Sequence, residues 1–301
     1  MRKKILSSMI VLALMFNIVG CTKEPASNET PEKEVEVVEE IEKEEDKEET
    51  TAVDAQSSAS VVDGVTSASV VPEELIQNYI PKGFTNGDSK KALFVVGDPR
   101  KYSVNYDLVN TAIKHFEEKG VEVELRDLYD MEFNPVLSLE NFYYAKDGFG
   151  EPTPEIKKEQ EFVTQADYIV FCYPNWHDTP TAIVKGYMET VFAKQFAYRD
   201  TDKGLEGMLK DKSVYTIMNA GFLGGGRGYM NDGVGIDDEA WNEYMTAFKV
   251  LDDDTAGFWG TENKGRFVND RTPKNNSENY SEELLKLRED LVKALDKDLF
   301  N

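Results

Sequence analysis

Basic residues are in short supply: 34 lysines and arginines face 57 aspartates and glutamates, a formal net charge of −23. No basic stripe offsets this balance, so nucleic acid is excluded as a partner. Histidine is scarcer still, with only His115 and His177, and no metal site is expected. Cysteine occurs twice, at Cys21 and Cys172, too few for a disulfide framework. Long apolar runs are missing except for Ile5 to Val19, which is too short for a comfortable membrane span. Aromatic residues are missing from Glu24 to Asp54, where Glu dominates. Such a stretch cannot bury enough apolar surface to offset its ordering entropy. It reads as a disordered, self-repelling acidic linker. No internal repeat is present.

What is there begins with an export pattern. Arg2, Lys3 and Lys4 precede the apolar run, which ends at Gly20-Cys21. That is the three-part layout of a signal peptide, and Ile18-Val19-Gly20-Cys21 resembles a bacterial lipobox, whose cysteine carries lipid and becomes the mature N-terminus. Lipid on Cys21 leaves Cys172 without an intrachain partner, so the fold must stand on its own core. Cys172 lies in an apolar run and reads as a small buried strand residue. The resulting division is 1–21 lipoprotein signal peptide, 22–60 disordered acidic linker, 61–71 a short Ser/Ala-rich segment, 72–90 connector, and 91–301 folded domain. As a coil, the roughly 70 residues after Cys21 span about 45–50 Å. A further coil of a little over twenty residues joins Ser69 to the first strand.

The folded domain alternates. Ala92 to Gly97, Val121 to Leu125, Tyr168 to Tyr173, Ser213 to Met218 and Ala256 to Thr261 read as five strands. Leu108, Ala112, Ile113 and Phe116 recur at helical spacing, and Glu155 to Ala166, Thr181 to Ala193, Asp238 to Lys249 and Ser281 to Leu299 also read as helices. The last is amphipathic, with Leu284, Leu287, Leu291 and Leu295 on one face. Near-continuous apolar strands between helices predict an α/β fold: a doubly wound, five-stranded parallel sheet. Ligands of such sheets bind outside the carboxyl ends of the strands.

Three loops at that edge have unusual composition. The first, Gly97 to Asn105, leads into a helix whose N-terminus suits a phosphate. Its other reading is an ordinary strand-to-helix loop capped by Ser103. The second, Tyr173 to Pro180, carries Trp176 and His177 between two prolines. Trp176 either stacks on a planar heterocycle or packs on a neighbouring helix, and His177 has the chemistry to carry protons. The third, Asn219 to Tyr229, is glycine-rich: it lets the backbone approach a ligand, or it is a flexible lid. His115, in the first helix, reads as a surface residue.

Four stretches, in order and spacing, carry a resemblance. They are Ser103-Val104-Asn105-Tyr106; Asp127 to Pro135; Ala166-Asp167 through Tyr173-Pro174; and Pro180 through Lys185-Gly186, with Val191-Phe192 and Phe196-Ala197-Tyr198. From about Lys91 to Leu299 the chain resembles the flavodoxin-like NAD(P)H quinone reductases and their bacterial relatives. The resemblance implies a flavodoxin-like fold, noncovalent FMN or FAD, a homodimer, and two-electron transfer from NAD(P)H to a quinone or similar small acceptor. It implies flavin phosphates at Ser103, Val104 and Asn105, and the flavin ring against Pro174, Asn175, Trp176 and His177, with Gly221 at its polar edge. Tyr198 would border the substrate pocket, and Tyr198 with His177 are the catalytic candidates. Two features depart from the family. Asp98-Pro99 stands where His-Pro is usual, placing a carboxylate near an anion site, and the family's Tyr-and-His relay has no evident counterpart.

The export signal conflicts with a cytosolic reductant. A lipid-anchored domain on the extracytoplasmic face of the cell membrane would take electrons from NAD(P)H or from a membrane electron donor. Bacterial extracytoplasmic electron carriers hold FMN on Thr or Ser through a phosphoester, at a sequence that Asp63-Gly64-Val65-Thr66-Ser67-Ala68-Ser69 resembles. Ser69 would then carry a covalent FMN. The alternative function is a non-enzymatic extracytoplasmic flavin-binding electron carrier.

Overall fold

The computed structural model describes residues 71–147, 149–220, 238–270, 272–273 and 277–301. Cys21, the acidic linker, Ser69 and Gly221 lie outside the described residues.

Five parallel strands form the central sheet: β1 (Lys91–Val96), β2 (Glu122–Asp127), β3 (Tyr168–Pro174), β6 (Ser213–Ala220) and β7 (Glu262–Asp270), in the order β2-β1-β3-β6-β7. The strand order reverses between β1 and β3, so a crevice is expected at their carboxyl ends. Between β3 and β6 the chain adds a small antiparallel hairpin, β4 (Tyr198–Thr201) and β5 (Gly204–Gly207).

Alternation along the strands sends successive side chains to opposite faces. Ala92, Phe94, Val96, Cys172 and Ile217 pack under α1 (Val104–Glu118) and α6 (Tyr280–Leu295). Leu93, Val95, Phe171 and Met218 pack under α3 (Pro154–Gln165), α4 (Ala182–Val191) and α5 (Asp238–Trp259). A further helix, α2 (Leu139–Asp147), follows β2. The four leucines foreseen on one face of α6 are all buried, and Cys172 is a buried strand residue with its thiol pushed up by burial.

Three expectations need correction. The apolar segment Ala256 to Thr261 is the last turn of α5 and its exit, not a strand. Among its described residues Phe248, Ala256 and Trp259 are buried, at helical intervals of eight and three. The fifth strand is β7, six residues later, whose polar sequence ENKGRFVND suits a half-buried edge. His115 is buried rather than on the surface: its Nε2 lies 2.9 Å from Asp296 and its ring packs edge-on against Phe300.

Residues 71–87 are docked, not coiled. The Val71 N–H donates to the Tyr102 carbonyl (2.7 Å), Gln77 bonds Asp107 and Thr111, and Arg288 donates to the Leu75 carbonyl (2.7 Å). Tyr79 and the Lys82 N–H reach Glu117, the Gly83 N–H donates to Val123, and Thr85 bonds Glu122. This strap therefore follows α1 from its N-terminus to its C-terminus. Its described part begins beside the β1–α1 loop.

Candidate functional site

The β1–α1 loop and the β3–α4 loop meet at the reversal of strand order because Gly97 lets them. A Cβ there would lie 2.3 Å from Val184 and 2.8 Å from Thr181 Oγ1, so only glycine allows α4 to start against β1. The Gly97 carbonyl accepts from Thr181 Oγ1 (2.9 Å), and its N–H donates to the Cys172 carbonyl (3.0 Å). Gly186 plays the same part deeper in α4, where a Cβ would lie 2.2 Å from the Pro135 carbonyl. Two of the recurrent motif residues, Gly186 and Pro135, are thus a single packing contact.

Within the first loop, Asp98 is fully buried. It accepts from the Arg100 N–H (3.0 Å), Arg100 Nε (3.0 Å), Arg100 Nη2 (3.2 Å) and the Ser103 hydroxyl (2.8 Å). Ser103 caps α1, its Oγ accepting from the Tyr106 N–H (3.2 Å), while its own N–H donates to the Arg100 carbonyl. Both donors of Ser103 are therefore spent inside the loop. Val104 and Asn105 open α1, and their N–H groups have no carbonyl a turn earlier to bond.

Asn105 is the telling residue. It is fully buried, yet neither its amide nitrogen nor its amide oxygen has a hydrogen-bond partner among the described residues. A buried polar group left so costs about 1–3 kcal/mol. On the other side of this turn, Lys101 and the Tyr106 hydroxyl both bond Asp127, and Lys101 also pairs with Asp130 (2.5 Å). Burial, reinforced by Asp127, holds the Tyr106 phenol protonated.

The β3–α4 loop supplies a flat aromatic face. Trp176 is 42% exposed, with the Arg100 guanidinium 5.7 Å from its ring centroid. Next come His177 and Asp178 at φ +55° and +59°, with the Thr179 N–H on the Trp176 carbonyl (3.3 Å). Two consecutive left-handed residues are what a type I′ turn requires, normally met by Asn or Gly. His177 is exposed at this turn. Asn175 donates its N–H to the Asn219 carbonyl (2.9 Å) and its amide to Asp178 (3.3 Å), while its amide oxygen is buried without a partner among the described residues. Pro174, buried at the end of β3, pairs with Asn219 of β6.

The structure thus brings Ser103, Val104, Asn105, Pro174, Asn175 and Trp176 to one edge of the sheet. Tyr198 behaves differently: it lies on the small hairpin, and its ring packs on Phe258 of α5 at 4.1 Å. Sequence reasoning missed Arg266 of β7. Its guanidinium is clamped by Asp252 (2.9 and 2.8 Å), lies over Phe248, and sits 6.0 Å from the ring of Tyr173. No apolar pattern announces a buried cation on a polar edge strand. Beside it, between α5 and β7, is a cavity of about 410 Å³ that shares no residue with the two loops.

The donor set fits a phosphate-bearing planar heterocycle. Free helix N–H groups and an unpaired amide are donors of the kind an anion takes, and an exposed indole offers a stacking surface. A flavin nucleotide has both parts.

Similarity to known proteins agrees with this fold. A 106-residue stretch is 41% identical to an uncharacterized NAD(P)H oxidoreductase of Haemophilus influenzae, covering 35% of this chain and 51% of that protein. Over 161 residues the chain is 32% identical to rat NAD(P)H dehydrogenase [quinone] 1, covering 48% of this chain and 58% of the relative. The chain spans about half the length of the curated relatives it matches. Among solved structures, Smu.1420 from Streptococcus mutans superposes with a TM-score of 0.50 at 25% identity, over 67% of this chain and 99% of that one. An azoreductase from Bacillus anthracis shares the fold, with a TM-score of 0.52 at 22% identity over 69% of this chain and 99% of that one. The family model matched by residues 90–290 is Flavodoxin_2, a flavodoxin-like fold, and the chain belongs to that family.

Proposed function

We propose that the protein is a flavin-dependent NAD(P)H oxidoreductase whose acceptor is a quinone or a similar small molecule. The observation that carries this reading is Asn105, buried and unpartnered at the start of α1, in the loop-to-helix turn whose Arg100 lies against the exposed indole of Trp176. Ser103 holds the helix start in place, Asn105 and the first N–H groups of α1 receive the phosphate, and Asn175 and Trp176 hold the ring. Bound there, a flavin supplies two-electron exchange between a reduced nicotinamide and a quinone. The chain's own part is to bind, orient and shield. Titration of the flavin-free protein with FMN and FAD, followed by NADPH oxidation with menadione, tests it. Binding of neither flavin would sink the reading.

The finer proposal is that Cys21 anchors the domain by lipid to the extracytoplasmic face of the membrane and that Ser69 carries FMN. Support for the second part is the anchoring of Val71 at Tyr102. Two residues of chain reach at most about 7 Å, so a flavin on Ser69 would start beside the β1–α1 loop, not on a long swinging coil. Flavin fluorescence that survives denaturation in the wild type and is lost in Ser69→Ala would establish it; fluorescence unchanged by the substitution would remove it. A homodimer is proposed on the exposed Val136, Leu139 and Phe149 between β2 and α3, and light scattering reads it directly.

A second reading, an electron carrier without turnover, is favoured by one observation. Tyr198 is packed on Phe258 and His177 is exposed at a turn, with no contact between them among the described residues. Flavin binding without reduction of any acceptor from any donor would select it.

A further inference from the structure

Asp98 presents a paradox, and its resolution rests on the flavin reading above. A carboxylate beside a phosphate site should repel the anion. Yet this carboxylate is fully buried and receives four hydrogen bonds, three from Arg100 and one from Ser103. Two of them come from the guanidinium in a fork, the geometry that neutralises a carboxylate best.

Two structural consequences run through Asp98. By accepting the Ser103 proton, it fixes the hydroxyl rotor so that the Ser103 lone pair meets the Tyr106 N–H. That cap sets the first turn of α1, and with it the outward N–H groups of Val104 and Asn105. By clamping Arg100, Asp98 also stands a guanidinium against Trp176, 5.7 Å from the ring centroid, and so ties the phosphate loop to the ring loop. Lys101 is no substitute, because Asp127 and Asp130 already engage it.

We infer that Asp98 is a positioning residue for the phosphate end of the flavin, so that removing its negative charge weakens binding of the anion. Simple electrostatics gives the opposite sign, which makes the inference easy to break.

The experiment compares FMN with riboflavin, which lacks the phosphate, by flavin fluorescence titration of the flavin-free wild type, Asp98→Asn and Arg100→Lys. The expected result is an FMN affinity about tenfold lower in Asp98→Asn, the scale of one charge-assisted hydrogen bond, with riboflavin affinity within about twofold of wild type. Arg100→Lys keeps the charge but cannot fork, and should lose part of the FMN preference. FMN binding to Asp98→Asn as tight as wild type, or tighter, would overturn the inference and leave the proposed function standing. An equal loss of riboflavin would also overturn it, by showing a general loosening. If Asp98→Asn does not fold, Arg100→Lys decides: an unchanged ratio of FMN to riboflavin affinity rejects the role. A wild type that binds neither flavin overturns the proposed function and this inference together.

Discussion

The first two turns of α1 bury polar side chains on two sides and treat them in opposite ways. Toward α6 and the strap, every one is paired. Asp107 accepts from Arg288 (2.5 and 2.9 Å) and from Gln77 (3.2 Å). Asn110 donates to the Gln77 carbonyl, and the Thr111 hydroxyl bonds both Asp107 and Gln77. At the very start of the helix, Asn105 is fully buried and has no partner among the described residues. Among these α1 side chains burial does not draw the distinction and satisfaction does, while across from them the Tyr280 hydroxyl of α6 is also buried without a partner among the described residues. A buried polar group that is paired holds the fold, whereas one left unpaired lowers stability unless a ligand completes it.

The contrast breaks most severely at Arg288. Arg288→Ala leaves Asp107 as a buried carboxylate without its cation and frees the strap carbonyl of Leu75. Stability should fall by about 3–5 kcal/mol, read by urea unfolding. A loss below about 1 kcal/mol would mean that the paired side is not what holds α1 against α6.

Asn105→Leu tests the other side and should separate two quantities that move together in an ordinary core mutant. Flavin affinity should drop by at least about tenfold, because the amide proposed to receive the phosphate is gone. The flavin-free protein should be unchanged or more stable by about 1 kcal/mol, because an unsatisfied buried group has been replaced by an apolar one of similar size. Loss of stability in the flavin-free state would place Asn105 with Asp107 as a structural residue.

His177 offers a smaller version of the same separation. Left-handed backbone costs a non-glycine residue about 1–2 kcal/mol. His177→Gly should therefore stabilise the flavin-free protein by up to about 1 kcal/mol, measured by thermal unfolding. If the imidazole serves the chemistry, turnover falls in the same variant; if turnover holds, the side chain is only the tip of a turn.

Much of this was legible in the sequence. Four apolar strands, the helical spacing before Gly120 and the leucine face of α6 sufficed for the parallel sheet, and the loops at its carboxyl edge followed from that. What escaped reading was whatever depends on partners distant in sequence. The fifth strand was misplaced because AGFW looks like a strand and the true edge strand, ENKGRFVND, does not. His115 looked exposed because Asp296 and Phe300, which bury it, lie more than 180 residues away. The strap looked like a linker because its docking rests on side chains of α1 and α6. At the site, Ser103, Val104 and Asn105 could be named, but that Ser103 is spent on Asp98 while Asn105 is unpaired required the fold.

The weakest version of the contrast lies at the surface, on Asp167. Its carboxylate accepts from the Lys91 N–H (2.9 Å) and from Lys90 Nζ (2.5 Å), at the entrance to β3. Partial burial pushes its pKa up, but the Lys90 and Lys91 hydrogen bonds, with the charges of Lys90 and Lys212, outweigh it and hold the group below its ordinary 3.8. A folded pKa below the unfolded one means that the unfolded chain binds the proton more readily. The stabilisation is thus complete above the unfolded value and disappears as pH falls through the folded one. Asp167→Asn should therefore be less stable than wild type at neutral pH, by under about 1 kcal/mol because the Lys90 pair is open to solvent. The two unfolding curves should converge as the pH is taken below 3.8. A gap that persists undiminished into that range would mean that Asp167 acts through the shape of its hydrogen bond to Lys91, and not through its charge.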